Sequence, residues 1–269
     1  MLSLFGDSWE RLLLAVGLGA ARTVPLTWLV PALGGPRVPV QVRIGLGIML
    51  AVLCLPVLTP AVTAAPLLML GPVGWLCLVA RELLVGLTVG LCVGAAFRAA
   101  AAAGRLVDLA RGANLAEILS PLSDERSSPT ADLYLFISVV VFLELGGLRL
   151  FANALGRSYE AVPVGATSVL RGLGPAAALV TTATGKLLES AIGLAAPVLV
   201  ASWLADATLG VVGRAAPQIP LYFAAMPAKA LLGLGVVLLG LGAVDALFVA
   251  GFPAWTAVFE RAFAVWRPK

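Results

Sequence analysis

Apolar residues in this chain come in long continuous runs rather than in alternation. The runs lie at about 11–33, 44–64, 67–97, 132–156, 175–213 and 219–252. From Ile44 to Ala80 there is no charged residue, and a membrane-crossing helix needs only about 20 predominantly apolar residues. Backbone groups inside hydrocarbon must satisfy one another, so only helices or closed barrels can cross. Barrel strands would alternate apolar and polar residues with period two, whereas "LCLVA" and "LAAPVLVASWL" are unbroken. The pattern predicts an all-α, polytopic membrane protein of long helices and helical hairpins. Because 20 helical residues cover about 30 Å, the runs 67–97 and 175–213 each predict either two helices or one that projects beyond the bilayer.

Three polar intervals separate or follow the runs, at 98–131, 157–174 and, as a short basic tail, 253–269. The first reads "RAAAAAGRLVDLARGANLAEILSPLSDERSSPTA". Its beginning is helix-prone, and the i,i+3 spacing of Arg105 and Asp108 allows them to pair. After Gly112 the helical pattern decays into turn chemistry, with Pro121 and Pro129 as breakers. The basic residues fall on loops of both parities; only the tail, with Arg261, Arg267 and Lys269, favours a cytoplasmic C-terminus.

Composition sharpens the picture. The chain is 61% hydrophobic and 12% charged, with a mean hydropathy of +1.03, where soluble domains carry about 25% charged residues. Yet Arg22, Arg81, Glu82, Glu144, Arg149, Lys186, Glu189, Asp206, Lys229 and Asp245 fall inside or at the ends of apolar runs. An ionised side chain at the bilayer centre costs about 2.5–3.5 kcal/mol. Snorkelling at helix ends accounts for part of the set. The remainder predicts surface that faces protein or water. Lys186 and Glu189 are spaced to share a helix face. Arg81 and Glu82 are adjacent and are expected to point apart, each needing a partner elsewhere. Gly86, Gly90 and Gly94, and again Gly233, Gly235, Gly240 and Gly242, predict close helix–helix packing.

Candidate chemistry is sparse. There is no histidine, and Cys54, Cys77 and Cys92 sit in apolar runs without metal-like spacing. No nucleophile has an adjacent base, so no catalytic set, metal site or cofactor site is expected. The N-terminus carries Asp7 and Glu10 before its first apolar run, where a secretory signal would be basic, and is read as an uncleaved first helix. A secondary transporter would also combine broken helices with intramembrane charges, but it would usually show related halves, which are not evident here.

Three stretches carry a resemblance. "ARELLVGLTVGLCVGAAFRAAAAAGRLVDLARGANLAEILSP" resembles the central signature of the FliR/SctT family, at Glu82, Gly86, Gly90, Gly104, Asp108, Gly112 and Pro121. "FLELGGLRLFANALGRSYEAVPVG" matches at Gly146, Gly147, Ser158, Tyr159 and Pro163, with Leu148 where the family often has histidine. "AAPVLVASWLADATLGVVGRAAPQIPLYFAAMPAKALLG" matches at Ala196, Pro197, Asp206, Gly210, Arg214, Pro217, Gln218, Pro227, Lys229 and Gly233.

The resemblance implies an inner-membrane export-apparatus component of type III secretion systems and flagella. It implies one multi-pass unit over 1–269, with a part at about 1–165 similar to the FliP/SctR-type subunit and a part at about 166–269 similar to the FliQ/SctS-type subunit. These two subunits are the implied partners, with an FlhB/SctU-type switch protein and unfolded secretion substrates, in a helical hetro-oligomeric gate. Asp206, Arg214, Pro217, Gln218 and Lys229 would then lie at a hairpin bend and face subunit contacts or the channel, together with Glu82, Arg105 and Asp108. The resemblance further implies that Asn114, Leu115, Glu117, Ile118, Leu119, Pro121, Leu122 and Asp124 belong to a loop that plugs the channel.

Overall fold

The structure is a computed structural model that describes residues 2–35, 38–64, 71–112, 128–164, 173–215 and 221–264. The described residues form helices α1 (Leu2–Leu29), α2 (Pro31–Gly34), α3 (Val40–Leu53), α4 (Leu55–Ala64) and α5 (Pro72–Arg111). Then follow α6 (Pro129–Glu144), α7 (Gly147–Ala161), α8 (Leu173–Ala215) and α9 (Leu221–Ala264). Among the described residues, four helices are long and apolar enough to cross a membrane, or five spans if the bent pair α6 and α7 counts as one. The protein is an all-α, multi-pass membrane protein.

The apolar runs and the helices do not correspond one to one. The run 44–64 is divided at Cys54 into α3 and α4, because Pro56 has no N–H for the helical ladder and its ring crowds the preceding turn. The run 132–156 is interrupted at Gly146, which has φ 73°, a left-handed conformation that glycine adopts without steric cost. The two overlong runs are each one continuous helix: α5 has 40 residues and α8 has 43. At 1.5 Å per residue both are about twice the ~30 Å hydrocarbon thickness. Pro227 lies inside α9 and does not end it; Pro217 and Pro220 lie outside the described residues.

The chain divides into two compact units, Met1–Ala95 with Phe142–Thr184 and Phe252–Lys269, and Ala96–Val141 with Gly185–Gly251. In the first unit α1 packs on α3 and α4. Small residues set that approach. A Cβ on Gly47 would lie 2.9 Å from the Val24 Cα, and one on Gly19 would lie 3.1 Å from the Ala51 Cβ. The Thr23 hydroxyl bridges the two helices by donating to the Gly47 carbonyl at 2.7 Å. In the second unit the Phe97 and Phe248 rings pack with centroids 5.3 Å apart, a distance at which tilted aromatic pairs attract. The Arg111 side chain lies on Gly233.

Candidate functional site

Two buried charge clusters, one in each unit, carry most of the polar chemistry among the described residues. The first is centred on Arg22, which is 1% exposed and lies beside Glu82, which is 0% exposed. Arg22 Nε donates to Glu82 Oε2 at 2.7 Å, and Arg22 Nη2 lies 2.6 Å from the same oxygen. The rest of the guanidinium turns to the end of α7. Nη1 donates to the Ser158 carbonyl at 2.9 Å and Nη2 to the Val162 carbonyl at 2.9 Å. Arg81 Nη1 adds a bond of 3.2 Å to the Pro163 carbonyl. The last carbonyls of a helix have no intrahelical donors and form the negative pole of its dipole. Two guanidinium groups bring positive charge to that pole and supply donors to the Val162 and Pro163 carbonyls just past the helix, and Arg22 adds a second donor to the Ser158 carbonyl, which already accepts the Val162 N–H.

Packing places this cluster. Gly86, one turn beyond Glu82 on α5, sits against the Arg22 backbone, so that any Cβ there would overlap the Arg22 carbonyl oxygen. Gly90, one turn further, faces Leu26 and Leu29. The glycine spacing of four thus matches the turn of α1, and the two backbones come close enough for Arg22 to reach Glu82. The Arg22 guanidinium also lies 4.3 Å from the Tyr159 ring centroid, and the Tyr159 hydroxyl donates to the Gly19 carbonyl at 3.1 Å. Arg81 and Glu82 do not simply point apart as their adjacency predicts. Arg81 Nη1 lies 3.5 Å from Glu82 Oε1, because Glu82 is drawn between two arginines.

The second cluster is centred on Asp108 near the C-terminal end of α5. Its Oδ2 accepts from the Ser128 hydroxyl at 2.5 Å and the Thr130 backbone N–H at 3.0 Å. Its Oδ1 accepts from the Thr130 hydroxyl at 2.6 Å and from Arg111 Nη2. Ser128 begins α6, since its carbonyl accepts the Asp132 N–H, and Pro129 occupies the first helical position, where a missing N–H costs nothing. Asp108 therefore caps α6 from a different helix, giving an acceptor to an orphan donor and a negative charge to the positive end of the dipole. The sequence spacing allows Asp108 to pair with Arg105. The structure pairs it with Arg111, equally distant along the helix, and leaves Arg105 exposed.

A close backbone contact makes this cap possible. A Cβ on Gly104 would lie 2.6 Å from the Thr130 carbonyl carbon and closer still to the Ala131 backbone. Gly104→Ala is therefore expected to cost about 1–3 kcal/mol by overpacking. The check is the thermal midpoint of the detergent-solubilised protein, with Gly240→Ala as the reference, because nothing lies within 4 Å of that position.

The remaining sequence candidates are more exposed. Lys229 Nζ pairs with Asp206 Oδ1, with side chains 20% and 52% exposed. Asp206 is 9 residues before the end of α8 and Lys229 is 8 residues after the start of α9, so the pair ties the two helices at similar distances from the segment that joins them. Arg214 is exposed. Lys186 and Glu189 are both exposed and do not pair with each other. Of the second glycine group, Gly233 meets Arg111, whereas Gly235, Gly240 and Gly242 have nothing within 4 Å. The candidate plug residues Asn114, Leu115, Glu117, Ile118, Leu119, Pro121, Leu122 and Asp124, and likewise Gln218, lie outside the described residues. Sequence reading did not single out Arg111, Ser128 and Thr130 as site residues. Ser-Pro-Thr at 128–130 is a readable helix start, but nothing local says which acidic group will cap it.

The fold and these clusters define a class: a multi-pass helical membrane protein whose long helices are fastened by buried arginine–carboxylate groups at helix ends. Residues 13–254 match the family model described as "Bacterial export proteins, family 1", and the chain belongs to that family. It is 30% identical over 165 residues to the secretion system apparatus protein SsaT of Salmonella typhimurium (strain LT2), covering 61% of this chain and 63% of that one. It is 31% identical over 175 residues to Yop proteins translocation protein T of Yersinia pestis, covering 63% and 65%. Against the flagellar biosynthetic protein FliR of Caulobacter vibrioides the identity is 24% over 224 residues, covering 83% and 87%. The matched regions thus span less than two thirds of the first two relatives.

Proposed function

We propose that this chain is a structural component of the protein export gate of a type III secretion system or a flagellum, set in the bacterial inner membrane and forming part of the channel for unfolded substrates. The observation that carries this reading is the family match over residues 13–254, joined to relatives whose names place them in secretion and flagellar biosynthesis. The role is one of assembly and passage rather than catalysis. Its proposed neighbours are subunits of the FliP/SctR, FliQ/SctS and FlhB/SctU types, with the part at about 1–165 similar to the first and the part at about 166–269 similar to the second. The three helices of 40 or more residues support an assembly that extends beyond the bilayer, since each is about twice its thickness. None of the relatives named above is a permease.

The plug reading of residues 114–124 rests on the resemblance and on the mixture of polar and apolar residues there. Two features of the described residues bear on where the interval begins and ends. Asp108 and Arg111 before the interval bond Ser128 and Thr130 after it. Gly112 turns the chain with φ 75°.

Expression of the chain alone, compared with its co-expression with the FliP/SctR-type and FliQ/SctS-type subunits, tests the reading. Alone, the chain is expected to be degraded or to aggregate. Together, the subunits are expected to co-purify as one complex identified by mass spectrometry. A well-behaved monomer that binds neither subunit would overturn the assignment.

A further inference from the structure

Helix α9 carries two charges within its apolar stretch Met226–Ala250, and among the described residues only one of them has a counter-charge. Lys229 is paired with Asp206 of α8. Asp245 is exposed and has no hydrogen-bond or ion-pair partner among the described residues. It lies inside the apolar stretch Met226–Ala250, of mean hydropathy 2.3. The charge-free runs on either side, 230–244 and 246–259, have 15 and 14 residues, both short of the ~20 that a span needs. A membrane-crossing stretch of α9 therefore includes Lys229 or Asp245, and one that begins at Lys229 includes both. Counted from Lys229, Asp245 lies about 24 Å along the helix axis, within the ~30 Å hydrocarbon thickness.

The surroundings of Asp245 narrow what can cover it. At 100° per residue, Leu234, Leu238 and Val249 fall within about 40° of it on the helix face, and they are 47%, 60% and 48% exposed. Gly235 and Gly242 lie along one side of the same face with nothing within 4 Å, which leaves room for a close helix–helix approach. Lipid is a poor neighbour for the carboxylate, because intramembrane charges face protein or water and pair with a counter-charge. The aspartate stem is too short to reach the interface. Water is a poor neighbour for the aliphatic face around it.

We propose that the Leu234–Leu238–Asp245–Val249 face of α9 docks a helix of a neighbouring subunit that presents an arginine or lysine at the same depth, with Asp245 as its counter-ion. The inference rests on the export-apparatus reading for the source of that helix. It predicts a specific, charge-dependent contact on a face that is otherwise apolar.

The test uses the full complex, purified through a tag on this chain after co-expression with the other export-apparatus membrane subunits. Asp245→Lys is expected to lower recovery of the complex at least about tenfold, and Asp245→Asn less. Replacing one membrane-embedded arginine or lysine of a neighbouring subunit by aspartate is expected to restore recovery with Asp245→Lys. In a background with the three native cysteines replaced, Asp245→Cys is expected to resist a charged, water-soluble thiol reagent in the intact complex. Wild-type recovery of Asp245→Lys, the absence of any restoring charge swap, or rapid labelling of Asp245→Cys would each overturn the inference while leaving the export reading intact. A wild-type chain recovered as a lone monomer would overturn both.

Discussion

Glu82→Ala is expected to lower the stability of the protein by about 3–5 kcal/mol, the cost of removing one member of a buried ion pair. The reason lies in what is left behind. Arg22 is 1% exposed and already bonds the Ser158 and Val162 carbonyls, so it cannot swing to water without uncapping α7. Arg81, bonded to the Pro163 carbonyl, loses its counter-charge as well. Glu82→Gln keeps an acceptor for Arg22 Nε and should cost less than Glu82→Ala. Arg22→Ala should be at least as damaging, because it removes the bond to Glu82 and the two bonds to the end of α7 together. The measurement is the denaturant midpoint of the detergent-solubilised protein, with its abundance in membranes as a second readout. A loss under about 1 kcal/mol for Glu82→Ala, the range of solvent-exposed pairs, would mean that water reaches the cluster.

Asp108→Ala is the second change with a large expected effect. The carboxylate accepts four hydrogen bonds, from Ser128, twice from Thr130, and from Arg111. Its loss leaves the first turn of α6 without a cap and Arg111 without its partner. A buried donor left unsatisfied costs about 1–3 kcal/mol, and losing a helix cap costs about 0.5–2 kcal/mol. Hydrogen exchange at the amides of 130–134 should therefore accelerate by roughly 100-fold, since about 1.4 kcal/mol is a factor of ten. Asp108→Asn should fall between Asp108→Ala and wild type, because its amide keeps one acceptor and introduces donors where donors already converge. Arg105→Ala, at an exposed position, should stay within about 0.5 kcal/mol of wild type. Equal effects of Arg105→Ala and Asp108→Ala would refute the cap described above.

The division of labour between sequence and tertiary structure follows from the range of the forces involved. Helix class and membrane insertion are summed along the chain, and runs such as Ile44–Ala80 settle them without knowledge of any neighbour. Local punctuation was partly legible. Pro129, read as a breaker, stands at the first position of α6, whereas neither the turn at Gly146 nor the division of 44–64 beside Pro56 was anticipated. Charge pairing was not legible, because helix spacing offers equivalent choices. Arg105 and Arg111 stand three residues on either side of Asp108, and only the approach of Thr130 through Gly104 makes Arg111 the partner. Nor does anything near Arg22 in sequence point to Glu82, 60 residues on, or to Ser158, 136 residues on. The sequence by itself determined that the protein is helical, lies in a membrane and carries charges in need of partners. Only the tertiary structure decided which partners they are, because a buried charge is satisfied by whatever the packing of distant helices brings within about 3 Å.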